Sequence, residues 1–234
     1  MNEENTDMLG SIVNAAAIAA GGLIGLLLKK GLPERLNTAI MQGLALIVFY
    51  IGASGAFVGE ETLVSTFSIV IGGTIGTLLD LDGRLERFAH GLERRLVKTD
   101  DPNSTFGQGF VNATMLFCVG AMAVVGSLNA GLANDYRILF SKSLIDGISA
   151  IVFASALGGG VLLSAIPVLV YQGAITLLAS AITPLLITEV VNEMTCVGSL
   201  LIVAISFNML NITKIKVMNF VPGIFLPIIW GLFL

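Results

Sequence analysis

A chain of 234 residues with 55% hydrophobic and only 12% charged side chains, a net charge of −4 and a mean hydropathy of +0.92 has the composition of a body dissolved in lipid. Soluble domains carry about 25% charged residues, so this supply cannot coat a water-facing surface, and the short, scattered cationic clusters form no basic face for nucleic acid. What remains is an all-α, polytopic transmembrane helix bundle, expected to be one domain over residues 1–234, with the lipid bilayer as its first partner.

The stretch before Met8 is acidic, whereas a secretory signal peptide begins with cations, so the first apolar run is expected to be a retained helix. That run extends from Met8 to Leu28. The second covers Thr38 to Val58, the third Thr62 to Leu79 and the fourth Phe106 to Leu128. A stretch from Tyr136 to Ile187 is too long for one crossing and divides at Gly158-Gly159-Gly160 into a fifth and a sixth. A seventh covers Met194 to Leu210, and a short eighth, Asn219 to Leu234, holds Pro222 and Pro227. Each run but the last is of membrane-crossing length. The count is eight helices, or seven if one is re-entrant or interfacial.

Cationic residues then set the orientation. Lys29, Lys30 and Arg35 follow the first helix, Arg84, Arg87, Arg94, Arg95 and Lys98 the third, and Lys214 and Lys216 the seventh. All three connections fall on one side, which the positive-inside rule makes cytoplasmic. The expectation is a multi-pass protein of the bacterial cytoplasmic (inner) membrane with its N-terminus outside. Between Asp80 and Asp101, Leu81, Leu85, Phe88, Leu92 and Leu96 recur at helical spacing. They predict an amphipathic interfacial helix whose Arg84, Arg87, Arg94 and Arg95 meet anionic lipid headgroups. His90, the single histidine, lies on it and reads as a solvated or headgroup-facing side chain.

Within the spans, polar residues are few enough to name. Lys142 and Asp146 stand at i, i+4, where they share a face and can neutralise each other. Intramembrane charges are costly and commonly line a pathway, although a shallow start to the fifth helix would place both near the surface instead. Asn14, Gln42, Asn112, Gln172 and Tyr171 complete the candidate substrate or ion pathway. Thr176 and Asn208 are further polar positions. Gly158, Gly159 and Gly160 are either the turn between helices five and six or an unwound hinge that offers free backbone groups. Pro167 and Pro184 are expected to kink helix six. The clusters Gly21-x-x-x-Gly25 and Gly72-x-x-x-Gly76 read as helix-packing faces. The free cysteines Cys118 and Cys196 read as packing residues, with no metal site.

Three short echoes run through the chain. Gly21-Gly22 with Gly25 matches Gly72-Gly73 with Gly76, Cys118-Val119-Gly120 matches Cys196-Val197-Gly198, and Gln42-Gly43 matches Gln172-Gly173. They are compatible with a weak internal repeat whose symmetry they leave open. No catalytic constellation is present. Asp146-Gly147 has no second intramembrane aspartate beside it in sequence, as an aspartyl mechanism requires, so neither an enzyme nor a cofactor is expected.

Several longer segments resemble a known family. They are Gly31-Leu-Pro-Glu-Arg-Leu36 with Met41-Gln-Gly-Leu44, Leu116-Phe-Cys-Val-Gly-Ala-Met-Ala-Val-Val-Gly-Ser-Leu128, and Lys142-Ser-Leu-Ile-Asp-Gly-Ile148. Phe153-Ala-Ser-Ala-Leu-Gly158 and Ala165-Ile-Pro-Val-Leu-Val-Tyr-Gln-Gly-Ala-Ile-Thr-Leu177 belong with them. Together they are similar to the YdfK/YqgA group of bacterial membrane proteins, domain of unknown function 554, from about Met8 to the C-terminus. The resemblance implies a multi-spanning bacterial membrane protein, often described as a transporter, and supplies no ligand residues. The expected function is therefore small-solute or ion transport without nucleotide hydrolysis. The alternatives are a channel-like homo-oligomer and a non-transporting membrane scaffold or sensor.

Overall fold

The computed structural model describes residues 8–29, 33–96 and 105–232. Its helices are α1 (Leu9–Lys29), α2 (Glu34–Ala56), α3 (Thr62–Leu78), α4 (Leu81–Leu96), α5 (Phe106–Cys118), α6 (Ala121–Ala133), α7 (Arg137–Leu157), α8 (Gly160–Leu163), α9 (Ala165–Leu177), α10 (Ala179–Ile182) and α11 (Thr188–Met209). A 3₁₀ segment (Val217–Phe225) and α12 (Leu226–Gly231) follow. The protein is all-α, and no strand occurs among the described residues. The chain folds as two compact units: residues 1–34 with 101–184, and residues 35–100 with 185–234. Each draws on both halves of the sequence.

In the first unit, α1 lies along α7. Gly10 faces Leu139, Gly21 the Gly147 carbonyl and Gly25 the Ile151 carbonyl, so residue numbers rise together and the two helices run in the same direction. A Cβ at Gly21 or Gly25 would collide with those carbonyls. Small residues four apart are what allow the two backbones to approach. Helix α9 runs antiparallel to α1, with Gly22 against Leu162 and Gly173 against Met8, and α6 meets α9 where Gly131 abuts the Thr176 carbonyl.

The fourth apolar run, expected as one helix, is instead broken. α5 ends at Cys118, α6 begins at Ala121, and their axes differ by 60°. The cause is local. Val119 is extended at φ −80°, ψ 141°, and Gly120 adopts φ +116°, ψ 150°, a backbone state that only glycine enters without strain. A second such residue, Gly158 at φ +87°, closes α7. Gly158 and Gly159 make the turn into α8, and the Thr105 hydroxyl donates to the Leu157 carbonyl at 2.8 Å.

The sixth run is interrupted at Ser164 and Leu178, between α8, α9 and α10. The first interruption follows Leu163, four residues before Pro167, where the ring crowds the carbonyl and removes the hydrogen bond to it, as expected of that proline. Pro184 does not kink a helix but lies in the turn after α10.

In the second unit, α2 packs on α11 through Gly52 and Gly55, which face Val203 and Ser199. Helix α11 starts at Thr188, six residues before the apolar run suggested. α3 packs on the 3₁₀ segment in antiparallel fashion, with Gly72 against Gly223, Gly73 against Phe220 and Gly76 against the Asn219 carbonyl. The Asn219 side chain accepts the Asp82 N–H at 2.9 Å. That bond holds the start of α4 and the connection 210–216 at one end of this unit. The Asn208 side chain shapes the same connection, donating to the Ile215 carbonyl and accepting from Thr213 and the Ile215 N–H.

Helix α4 forms where the amphipathic pattern predicted it. Arg84, Arg87 and Phe88 are exposed, and Arg87 pairs with Asp80 at 3.1 Å. The side chains of His90, Arg94 and Arg95, together with Lys98, lie outside the described residues.

Large apolar side chains cover the outer surfaces of both units, with Leu27 72%, Phe57 87% and Leu78 81% exposed. Such faces suit hydrocarbon and would aggregate in water. Among the described residues, five helical stretches, with α8 and α9 taken as one, are long and apolar enough to cross a membrane, or six if α5 and α6 form one bent span, and two shorter apolar helices match the third and eighth runs. All three sequence echoes join a segment of one unit to a segment of the other. The paired glycine clusters nevertheless dock differently, alongside a parallel helix in one unit and an antiparallel segment in the other. Close approach is what they share.

Candidate functional site

Helix α7 is 21 residues, about 31 Å, long, and Asp146 is its tenth residue, close to the midpoint. Its beginning is polar and exposed: Arg137 clamps Asp135 at 2.6 Å with its own side chain 88% exposed. Hydrogen bonds from Arg137 hold the Asp135 carboxyl down to about 2. One turn and more into the helix the surroundings change. Lys142 and Asp146 are 6% and 4% exposed, and Lys142 Nζ lies 3.0 Å from Asp146 Oδ1 and 2.8 Å from Oδ2. The close docking of α1 by its glycines brings Asn14 to the same carboxylate. Asn14 Nδ2 donates to Asp146 Oδ2 at 3.0 Å and to Gln172 Oε1 of α9 at 3.2 Å. Asn14 and Gln172 are both fully buried.

The direction of each amide follows from the carboxylate. An ionised Asp146 only accepts, so Asn14 must turn its NH₂ toward it. Both amide hydrogens of Asn14 are then committed, one to Asp146 and one to Gln172, so Gln172 must present its oxygen. The consequence is that Asn14 Oδ1 and Gln172 Nε2 have no protein partner among the described residues, and neither do the buried hydroxyls of Ser11, Ser127 and Thr176. Buried polar atoms are nearly always paired.

These atoms also converge. Ser11 lies one turn before Asn14 on α1, and Thr176 one turn after Gln172 on α9, so each pair shares a helix face. Ser127 lies one turn before Gly131, the residue by which α6 abuts Thr176. Five of the six unpaired groups among the described residues, all but the Thr114 hydroxyl of α5, therefore lie on α1, α6 and α9, which pack on one another. Cys118, at the break between α5 and α6, is within electrostatic range of Lys142 and Asp146, and Tyr171 is within range of Cys118.

Of the residues singled out in the sequence, Asn14, Lys142, Asp146 and Gln172 make one bonded cluster. Tyr171 is half-buried beside it, and Asn112 is buried on α5 of the same unit. Gln42 is not brought to the cluster; it sits exposed on α2, in the second unit. Gly158, Gly159 and Gly160 form the α7–α8 turn, where a Cβ at Gly160 would strike the Phe106 carbonyl. Sequence reasoning missed Ser11 and Ser127, although the i, i+3 spacing of Ser11 to Asn14 was a usable signal. It also missed Glu193. This carboxylate is 2% exposed in the second unit. It accepts the Glu60 and Glu61 N–H groups at 2.7 and 2.8 Å and the Ser65 hydroxyl at 3.0 Å. The thiol of Cys196, one turn on, donates to the Ala56 carbonyl at 3.1 Å. No cluster of metal-binding side chains occurs among the described residues.

A lipid-facing exterior, membrane-length helices and a buried ionic cluster at mid-helix define an integral membrane protein of the multi-spanning helical class. The family model described as "Protein of unknown function (DUF554)" matches residues 9–232, and the chain belongs to that family. It is 31% identical to the uncharacterised membrane protein YdfK of Bacillus subtilis and 27% identical to the uncharacterised protein YqgA of Escherichia coli, covering 94% of each chain in both cases. No solved structure matches it.

Proposed function

We propose that the protein is a transporter, carrying a small solute or an ion across the bacterial cytoplasmic membrane without nucleotide hydrolysis and without enzymatic chemistry. The observation that carries this reading is the incomplete Asn14–Lys142–Asp146–Gln172 cluster. Ionisable groups within a span are costly and characteristic of substrate or ion pathways. A unit built for stability alone gains little from leaving six buried polar atoms unpaired among its described residues, because each carries its full desolvation penalty. Broken spans give further support. The α5–α6 break frees backbone groups inside the bilayer near the ion pair, and irregular backbone at that depth is tolerated where it lines a polar interior.

The cationic connections face the cytoplasm, with Arg84 and Arg87 of α4 toward anionic headgroups. The shared end of α4 and the Lys214–Lys216 connection supports this orientation. In proteoliposomes, Asp146→Asn and Gln172→Ala should abolish flux while both variants elute from a sizing column as the parent does. Full transport in both variants removes the assignment.

A further inference from the structure

We infer that the solute is uncharged and carries adjacent hydrogen-bond donor and acceptor groups, as a small carboxamide, urea or polyol does. This rests on the transport reading above and narrows it.

The formal charges cancel: Lys142 Nζ lies within 3.0 Å of both Asp146 oxygens, and no other ionised group bonds either side chain among the described residues. An anion arriving there finds its cation already neutralised. A cation finds its carboxylate held by Lys142 and Asn14. Either ion would bring a net charge into a low-dielectric interior that supplies no counter-charge, which is the costly case.

The unpaired atoms are neutral. Asn14 Oδ1 is an acceptor, Gln172 Nε2 carries two donors, and Ser11, Ser127 and Thr176 hydroxyls can do either. Their amide orientations are fixed by the Asp146 carboxylate, so the donor and the acceptor cannot exchange places without breaking the Asn14 bond. The ion pair thus acts as a positioning device, and the amides and hydroxyls are the groups that touch the solute. A carboxamide matches this edge directly, with its carbonyl toward Gln172 and its NH₂ toward Asn14. A bare cation would meet neutral oxygens beside the two Gln172 amide hydrogens, with the one carboxylate already held by Lys142 and Asn14.

The test is osmotic swelling of proteoliposomes in gradients of acetamide, urea and glycerol, run beside electrical recording with sodium, potassium, chloride and acetate. Swelling faster than in protein-free vesicles for at least one uncharged solute, unchanged by an imposed membrane potential and accompanied by no ion current, is the expected result. Thr176→Val and Ser127→Ala should slow that swelling tenfold or more while melting no lower than the parent in detergent, because each removes an unpaired buried hydroxyl. A variant that melts lower and transports normally marks these side chains as structural and overturns the inference. Potential-dependent ion uptake also overturns it while leaving the transport reading intact. An absence of flux for every solute and ion tested brings down both.

Discussion

The two units each bury a carboxylate among apolar helices, and they satisfy it in opposite ways. Glu193 in the second unit is saturated: two backbone amides and a hydroxyl reach it within 3.0 Å. It closes the approach to α3, where the free N–H groups and the helix dipole favour an anion. Asp146 in the first unit is held by a lysine and an amide whose own remaining groups lead outward to atoms without partners. Every unpaired buried side-chain atom among the described residues belongs to this first unit. On the transport reading, a polar group that serves the fold is closed off by its neighbours, and one that serves a solute is held in place and left incomplete.

The contrast can be broken most severely at Lys142. Lys142→Met strands Asp146 in a dry interior and should cost about 3–5 kcal/mol of stability, read as a large drop in the melting temperature in detergent. The double variant Lys142→Met with Asp146→Leu should recover most of that loss. A single variant as stable as the parent means that the carboxylate is solvated after all.

Glu193→Ala comes next. It leaves the Glu60 and Glu61 amides unpaired and the Ser65 hydroxyl with Cys196 alone, for a loss of about 3 kcal/mol, yet transport per folded molecule should match the parent. Transport lost without any change in melting would give Glu193 a role in the pathway and erase the distinction between the units. The smallest of the three effects belongs to Gly25→Val, which forces a side chain against the Ile151 carbonyl and Ala154. Overpacking of that kind costs about 1–3 kcal/mol. Because it would also push α1 off α7, flux should fall further than stability alone accounts for. Unaltered flux and melting together would show that the glycine contact positions nothing.

The solvent, the helical class, the approximate spans and a short set of polar residues that contains the four of the cluster were all legible in the sequence. Solvent preference is a sum over composition, span length follows from bilayer thickness, and rare polar residues in apolar runs stand out one at a time. The i, i+4 spacing of Lys142 and Asp146 already implied their pairing, because both lie on one helix. Packing alone brings Asn14, more than a hundred residues away, to the same carboxylate and leaves Gln42 out. The tertiary structure also placed a break at Gly120, without a proline, and it revealed Glu193 as the saturated partner in the comparison. These outcomes depend on which helix faces which, and on backbone angles that glycine permits without announcing. Local pattern encodes the face a residue occupies; the neighbour that face meets is fixed only when the helices pack.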